Sequence, residues 1–325
     1  MSDTSATIQT RQCLFSAPFS FLGDAVEAYE ALIPTIFREV WDRGDLEGDP
    51  LLTAWVMNPG QQFIIDDDVL DLYPNLAVLV TPSTGSNHLD LAACTRRGIP
   101  VYSLLDDREG LNRITASAEF TFLLLLNTLR RLDVAVGEVS ARRWRMREDL
   151  LRGYELSGKQ VGLIGFGRIG QRMARYCEAF GAQIAYADPY VSTERWPAWS
   201  LEEIFERSDA VCVCCRLTPE TTGLIDQHFL SRFKIGACLI NTSRGEVIVE
   251  EDLIEILHAR QDLRAGLDVL AGEVTKSHNT SPLLELHDRG QIVITPHIAG
   301  ATIESQRKAA LSALTLLRRH LEDKR

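Results

Sequence analysis

Residues 165–170 read Gly165-Phe166-Gly167-Arg168-Ile169-Gly170, a spacing able to cradle a pyrophosphate. The apolar run Gln160–Ile164 reads as a strand leading into them. Behind them Ile169, Met173, Cys177 and Phe180 recur at helical spacing, with Gly181 as the C-terminal cap. Glycines at these places permit a tight turn and a close approach of the backbone to phosphate, and the helix N-terminus supplies free amides and a favourable dipole. Asp188 closes the next strand. Its carboxylate can accept hydrogen bonds from ribose hydroxyls and would repel a 2′-phosphate, so NAD is expected rather than NADP.

Three further segments place reactive side chains just after apolar runs. They are Asn241-Thr242-Ser243-Arg244-Gly245, then Leu267-Asp268-Val269-Leu270-Ala271-Gly272-Glu273, and last Thr295-Pro296-His297. In a doubly wound sheet, ligands gather at the carboxyl ends of strands, so these segments are expected in one crevice. An arginine, a glutamate and a histidine there are the parts needed to oxidise an alcohol beside a carboxylate. Singly, each has a plain structural explanation: a surface ion pair for Arg244, a solvated loop for Glu273, a satisfied loop histidine for His297. Together, in this order, they argue for chemistry. His88 reads as a structural loop residue.

These segments, with the glycine loop and Ser83-Thr84-Gly85-Ser86-Asn87-His88-Leu89-Asp90, resemble the D-isomer-specific 2-hydroxyacid dehydrogenases. That family includes phosphoglycerate, glycerate, hydroxypyruvate and D-lactate enzymes. The likeness runs from about Leu76 to Thr302; the first seventy residues match only in outline. It implies a Rossmann-type doubly wound parallel sheet domain inserted into a smaller flavodoxin-like α/β substrate domain. It also implies an enzyme without the regulatory domain that some phosphoglycerate dehydrogenases append. By the resemblance, His297 is the acid/base, and Glu273 bonds its other ring nitrogen and favours the imidazolium. Arg244 grips the substrate carboxylate, helped by the amides of Thr84, Gly85 and Ser86. Cofactor contacts are implied at Thr84, Gly165, Gly167, Arg168, Ile169, Gly170, Asp188, Cys215, Thr221, Thr242, Ser243, Arg244, Asp268, His297 and Gly300, with Asp268 receiving the nicotinamide carboxamide. A homodimer through the nucleotide domain is implied too, and no metal is expected.

The chain departs from the family pattern in three places. Cys214-Cys215-Arg216 stands where the family has His-x-Pro, Ala118-Glu119-Phe120 where it has Ala-Glu-His, and Val274 where a proline follows the glutamate. Competing readings are a formate dehydrogenase, which carries glutamine where Glu273 stands, an NAD-sensing corepressor on the same fold, and a scaffold protein that has lost its chemistry.

The elements that position these groups alternate between short apolar runs and helical patterns, the sign of parallel sheets. In the first half Gln12–Ser16, Leu52–Val56, Leu76–Thr81 and Pro100–Ser103 read as strands, with helices at Ala25–Leu32, Asp68–Leu72 and Leu89–Arg97. In the second, strands are predicted at Gln160–Ile164, Gln183–Ala187, Ala210–Cys215, Ala237–Asn241, Arg264–Leu267 and Ile292–Thr295. Thr115–Val136 reads as one long helix between domains, and Thr302–His320 as an amphipathic helix returning. A nucleotide domain at 113–299 and a substrate domain at 1–112 plus 300–325 follow. The 325 residues suit two domains, and the net charge of -11 argues against nucleic acid and anionic membranes. Met1–Gln12 is polar, unlike a signal peptide, and Phe120–Leu126 is too short to span a bilayer. Cys212, Cys214 and Cys215 read as a buried strand rather than a metal cluster. With no framework spacing among the seven cysteines, a reducing, cytoplasmic setting is expected.

Overall fold

The computed structural model describes residues 11–145 and 147–323. Most of the polar stretch Met1–Gln12 lies outside the described residues. The chain divides into two compact units, one formed by Met1–Ile114 and Ala301–Arg325, the other by Thr115–Gly300.

The first unit carries five strands: β1 (Gln12–Phe15), β2 (Thr35–Phe37), β3 (Leu52–Val56), β4 (Val78–Thr81) and β5 (Val101–Ser103). All pair in parallel in the order β2-β1-β3-β4-β5, the flavodoxin-like arrangement. Alternation along β3 shows why both faces must be covered. Ala54 and Val56 pack with Phe15, Tyr29, Leu316 and Leu317, whereas Trp55 and Met57 pack with Tyr73 and Leu79. The helix Ile303–Asp323 thus completes a core begun at the other end of the chain, and Tyr29 Oη donates to the Ala310 carbonyl at 2.8 Å. Strand β2 is absent from the sequence expectation, because three residues are too few to show an alternation.

The second unit carries β6 (Gln160–Ile164), β7 (Gln183–Ala187), β8 (Ala210–Val213), β9 (Cys238–Asn241), β10 (Arg264–Leu267) and β11 (Ile292–Ile294). Their order is β11-β10-β9-β8-β6-β7, again all parallel. The chain winds from β6 to β7 on one side and from β8 onward on the other, so the switch point lies between β6 and β8. A single bridge from Tyr186 to Ala198 extends the sheet beyond β7. Helices Ala116–Arg130 and Arg168–Ala179 cover one face through Leu124, Leu125, Met173 and Cys177. Ile204, Phe205, Leu253, Leu257 and Leu286 cover the other.

Three expectations need correction. Thr115–Val136 is not one helix: Arg131 adopts φ 56°, ending the helix Ala116–Arg130, and a new helix runs Leu132–Ser140. The Asn127 carbonyl accepts the Arg131 amide while its side chain accepts the Asp133 amide at 3.1 Å, so one residue caps both ends. Apolar periodicity continues across such a break, which hides it in the sequence. Strand β8 ends at Val213, so Cys212 is in the sheet and Cys214 and Cys215 lie beyond it. Phe180 sits past the helix end and is half exposed rather than part of the buried stripe.

Candidate active site

The glycine loop leaves β6 at the switch point, and its three glycines do three different jobs. Gly165 has φ +89°, and a Cβ there would lie 2.5 Å from the Cys215 amide nitrogen. At Gly170 a Cβ would overlap the Gly165 carbonyl, so helix and turn pack only without side chains. Around Gly167 nothing lies within 4 Å of that direction, which leaves the helix N-terminus open. Asp188, at the end of β7, holds this turn: Oδ2 accepts the Phe166 amide at 2.7 Å, and Oδ1 accepts those of Tyr190 and Val191 at 2.8 and 3.2 Å. Arg168 opens the helix, and burial, followed by the nearby Arg172 charge, holds its guanidinium below the usual arginine range. Ile169 packs partly into the core.

Beyond β8, Thr221 folds the loop by accepting the Thr218 amide and donating to the Arg216 carbonyl, both at 2.7 Å. Ser243 Oγ donates to the Cys215 carbonyl, joining this loop to the one after β9. In that second loop the buried Asn241 accepts the Ser243 amide at 3.0 Å and donates to the Arg244 carbonyl at 2.9 Å. Thr242 and Thr121 share a 2.5 Å hydrogen bond, tying the loop to the helix Ala116–Arg130. Gly245 is forced, since a Cβ would overlap the backbone at Leu270–Ala271. Arg244 is mostly buried and donates to the Ser243 carbonyl at 2.7 Å. Burial lowers its guanidinium from the ordinary value, opposed by the charges of Glu273 and Glu246.

Asp268 ends β10 fully buried and is the anchor of the next loop. Oδ1 accepts the Thr295 hydroxyl at 2.5 Å and the Ile298 amide at 3.0 Å, Oδ2 accepts the Ala299 amide at 2.8 Å, and its carbonyl accepts the His297 amide at 2.8 Å. Burial raises the Asp268 carboxyl above its usual range against these donors. Held this way, His297 takes φ 55°, a left-handed conformation unusual for a side-chain-bearing residue. Its Nδ1 lies 2.6 Å from Glu273 Oε2, and Glu273 Oε1 accepts the Leu270 amide at 2.9 Å. Burial pushes the Glu273 carboxyl up, but the His297 bond and charge, the Leu270 amide and Arg244 outweigh it and hold it below the usual carboxylate range.

Residues 122–299 match the family model for the D-isomer specific 2-hydroxyacid dehydrogenase, NAD binding domain. The chain belongs to this family. It is 34% identical to D-3-phosphoglycerate dehydrogenase of Mycobacterium bovis over 75% of the chain and 45% of that protein, so it spans less than half the length of that relative. It is 36% identical to glyoxylate reductase of Thermofilum pendens, over 78% of the chain and 74% of the relative. A solved D-lactate dehydrogenase from Aquifex aeolicus, complexed with NAD and lactic acid, is 25% identical with a TM-score of 0.79, covering 96% of each chain.

NAD is the cofactor of this dehydrogenase-family chain, and the residues present fit it: an open helix start over Gly167, two arginines in the first helical turns, and Asp188 at the end of β7. In the first unit, Thr84, Gly85 and Ser86 lie in the loop after β4. Ser83 Oγ donates to the Gly85 carbonyl at 2.9 Å, and among the described residues the three amides donate no hydrogen bond. Gly300 closes the loop after β11, 3.7 Å from Ser117 Oγ to its Cβ direction. Sequence reasoning assigns no role to Asn241, Thr121 or Thr295. Asn241 lies inside a quoted motif, but nothing in the sequence marks Thr121, because its partner is brought near only by packing.

Proposed function

We propose that this protein reduces a small 2-keto acid to the D-2-hydroxy acid with NADH, and runs the reverse oxidation with NAD. The observation that carries the reading is the His297–Glu273 pair. Because Glu273 occupies Nδ1, the ring presents Nε2 for proton exchange, in the same unit as the mostly buried Arg244. The nicotinamide cofactor, when bound, would supply a hydride to C2 as NADH or accept one from C2 as NAD. Arg244 holds the substrate carboxylate through paired hydrogen bonds and draws electron density from the neighbouring carbonyl. His297 Nε2 gives a proton to the C2 oxygen during reduction and takes it back during oxidation, while Glu273 fixes the ring and shares the positive charge. Asp188 prefers ribose hydroxyls to a 2′-phosphate. Asp268, whose carboxylate already receives three donors, acts mainly by shaping the loop that carries His297.

The functional state we infer is a cytoplasmic homodimer. Leu123, Leu132, Val136, Val139 and Phe180 are each more than half exposed in the second unit, more apolar surface than a lone helix pair normally leaves in water. The test of the reaction is direct. Purified protein with NADH and a panel of glyoxylate, hydroxypyruvate, pyruvate, phosphohydroxypyruvate and phenylpyruvate should show saturable loss of NADH absorbance with at least one. No turnover with any member overturns the reaction class.

A further inference from the structure

We propose that the second unit carries an anion site at the amino edge of its sheet, where Arg131, Lys159, Arg264 and Tyr154 hold a small dianion of the phosphate class. The site lies at the opposite strand ends from His297 and does not depend on the keto-acid chemistry. Lys159 stands just before β6, and Arg264 is the first residue of β10. Arg131 closes the helix Ala116–Arg130, and its Nη2 donates to the carbonyl of Gly290, just ahead of β11, at 3.2 Å. The Tyr154 amide donates to the Leu129 carbonyl at 2.9 Å, which sets Tyr154 at the same end of that helix. Lys159 Nζ lies 5.2 Å from the Tyr154 ring centroid and the Arg264 guanidinium carbon 5.7 Å from it, so one ring gathers two cations.

Such a cluster needs a counter-charge that its surroundings do not supply. Among the described residues none of Arg131, Lys159 and Arg264 forms an ion pair. Arg264 Nη1 and Arg131 Nε are both closed to solvent, and neither has a hydrogen-bond partner. Burial and then the Arg131 charge hold the Arg264 guanidinium below the usual arginine range, and Tyr154, Cys238 and Asp133 offset only part of this. The carboxyl end of the helix Ala116–Arg130 adds roughly half a negative charge, which with Asp133 still leaves the three cations in excess. The carboxylates just before β8 and β10, Asp209 and Asp262, are taken by Lys234 and Arg260 at 2.6 Å each. Glu155, beside Tyr154, is exposed and pairs with none of the three. Water could accept the two orphaned N–H bonds but would leave the charges unmatched. A tetrahedral dianion answers both needs, since its oxygens suit the forked donors of two arginines and the compact charge of a lysine.

The test is thermal melting of the intact protein against inorganic phosphate, with ionic strength held constant by sodium chloride. Saturating NADH is present throughout, so that the glycine loop is filled and does not take the phosphate itself. A saturable rise of several degrees is expected, as for any ligand held by the native state alone. Arg264→Gln and Arg131→Gln should each raise the half-saturating phosphate concentration by about ten- to a hundredfold, the worth of a lost charge-assisted bond, while NADH affinity stays that of the parent. Without phosphate, Arg264→Gln should melt no lower than the parent, because it removes an unmatched charge. A drop there, even with the phosphate response lost, marks a packing residue and overturns the assignment. A rise that survives both substitutions places the anion elsewhere and overturns the site, as does no rise at all. A rise that comes with a doubled mass in light scattering assigns the cluster to a contact between copies and overturns the small ligand.

Discussion

Replacing Glu273 by Gln is the sharpest probe of the proposed chemistry, because it removes a charge and almost no volume. Glu273 Oε1 accepts the Leu270 amide, and a Gln carbonyl can do the same, so the loop should keep its course. The amide nitrogen then faces Nδ1 of His297, where a carboxylate stood at 2.6 Å. A hydrogen bond to a charged partner is worth about 1.5–3 kcal/mol. The pair is partly open, with side chains 43% and 25% exposed, so solvent screening favours the low end. At 1.36 kcal/mol per pH unit the expected effect is about one unit. The sign follows from Glu273, whose carboxyl is held below its ordinary range by the imidazolium; by reciprocity its negative charge retains a proton on the pair. Without that charge the proton leaves at lower pH, so the alkaline limb of keto-acid reduction should move down by about one unit. The measurement is the pH profile of kcat/KM, with NADH binding followed by fluorescence as the control for folding. A limb that stays in place with NADH binding intact refutes the pairing as the source of the acid.

Four other outcomes follow from the geometry. Arg244→Ala should raise KM for the keto acid with a loss of about 2–5 kcal/mol in kcat/KM, whereas His297→Ala should lower kcat by about a hundredfold to ten-thousandfold; steady-state kinetics on both variants separates the roles. NADH should be preferred to NADPH by about tenfold or more, about 1.4 kcal/mol, and Asp188→Ala should narrow the ratio; equal use by the unmodified protein contradicts the assignment. Gly245→Ala should cost about 1–3 kcal/mol of stability because its Cβ overlaps backbone, read as a melting temperature lower by several degrees. Light scattering at micromolar concentration should give twice 36.3 kDa, and a monomer mass would remove the dimer proposal.

How much of this was legible in the sequence depends on the distance over which each cause acts. Strands β6, β7 and β10 announce themselves because, after a polar first residue, each runs on in apolar or small residues that are mostly buried. The glycine loop is legible for the same local reason. The placement of Glu273 against His297 follows only from resemblance, since the residues lie on different strand ends. Asn241, Thr121 and Asp268 are illegible as loop builders, because hydrogen bonds to backbone amides leave no pattern in residue type. The break at Arg131 is hidden because neither glycine nor proline marks it; the cap comes from Asn127, a residue that equally suits a helix surface. At Gly245 only the nearness of Leu270–Ala271 shows that bulk, not torsion, is what excludes a side chain.

The anchoring of His297 by Asp268 has a consequence for how such a protein can change over generations. His297, Glu273, Arg244 and the carboxylate that shapes their loops all hang from β9, β10 and β11, and Asn241 and Thr295 make their bonds within the same unit. The proton-handling pair is therefore held by contacts that lie wholly within the second unit. Substitutions in the first unit remove none of these contacts. A lineage of such chains is free to renew its first unit while inheriting the same proton-handling pair.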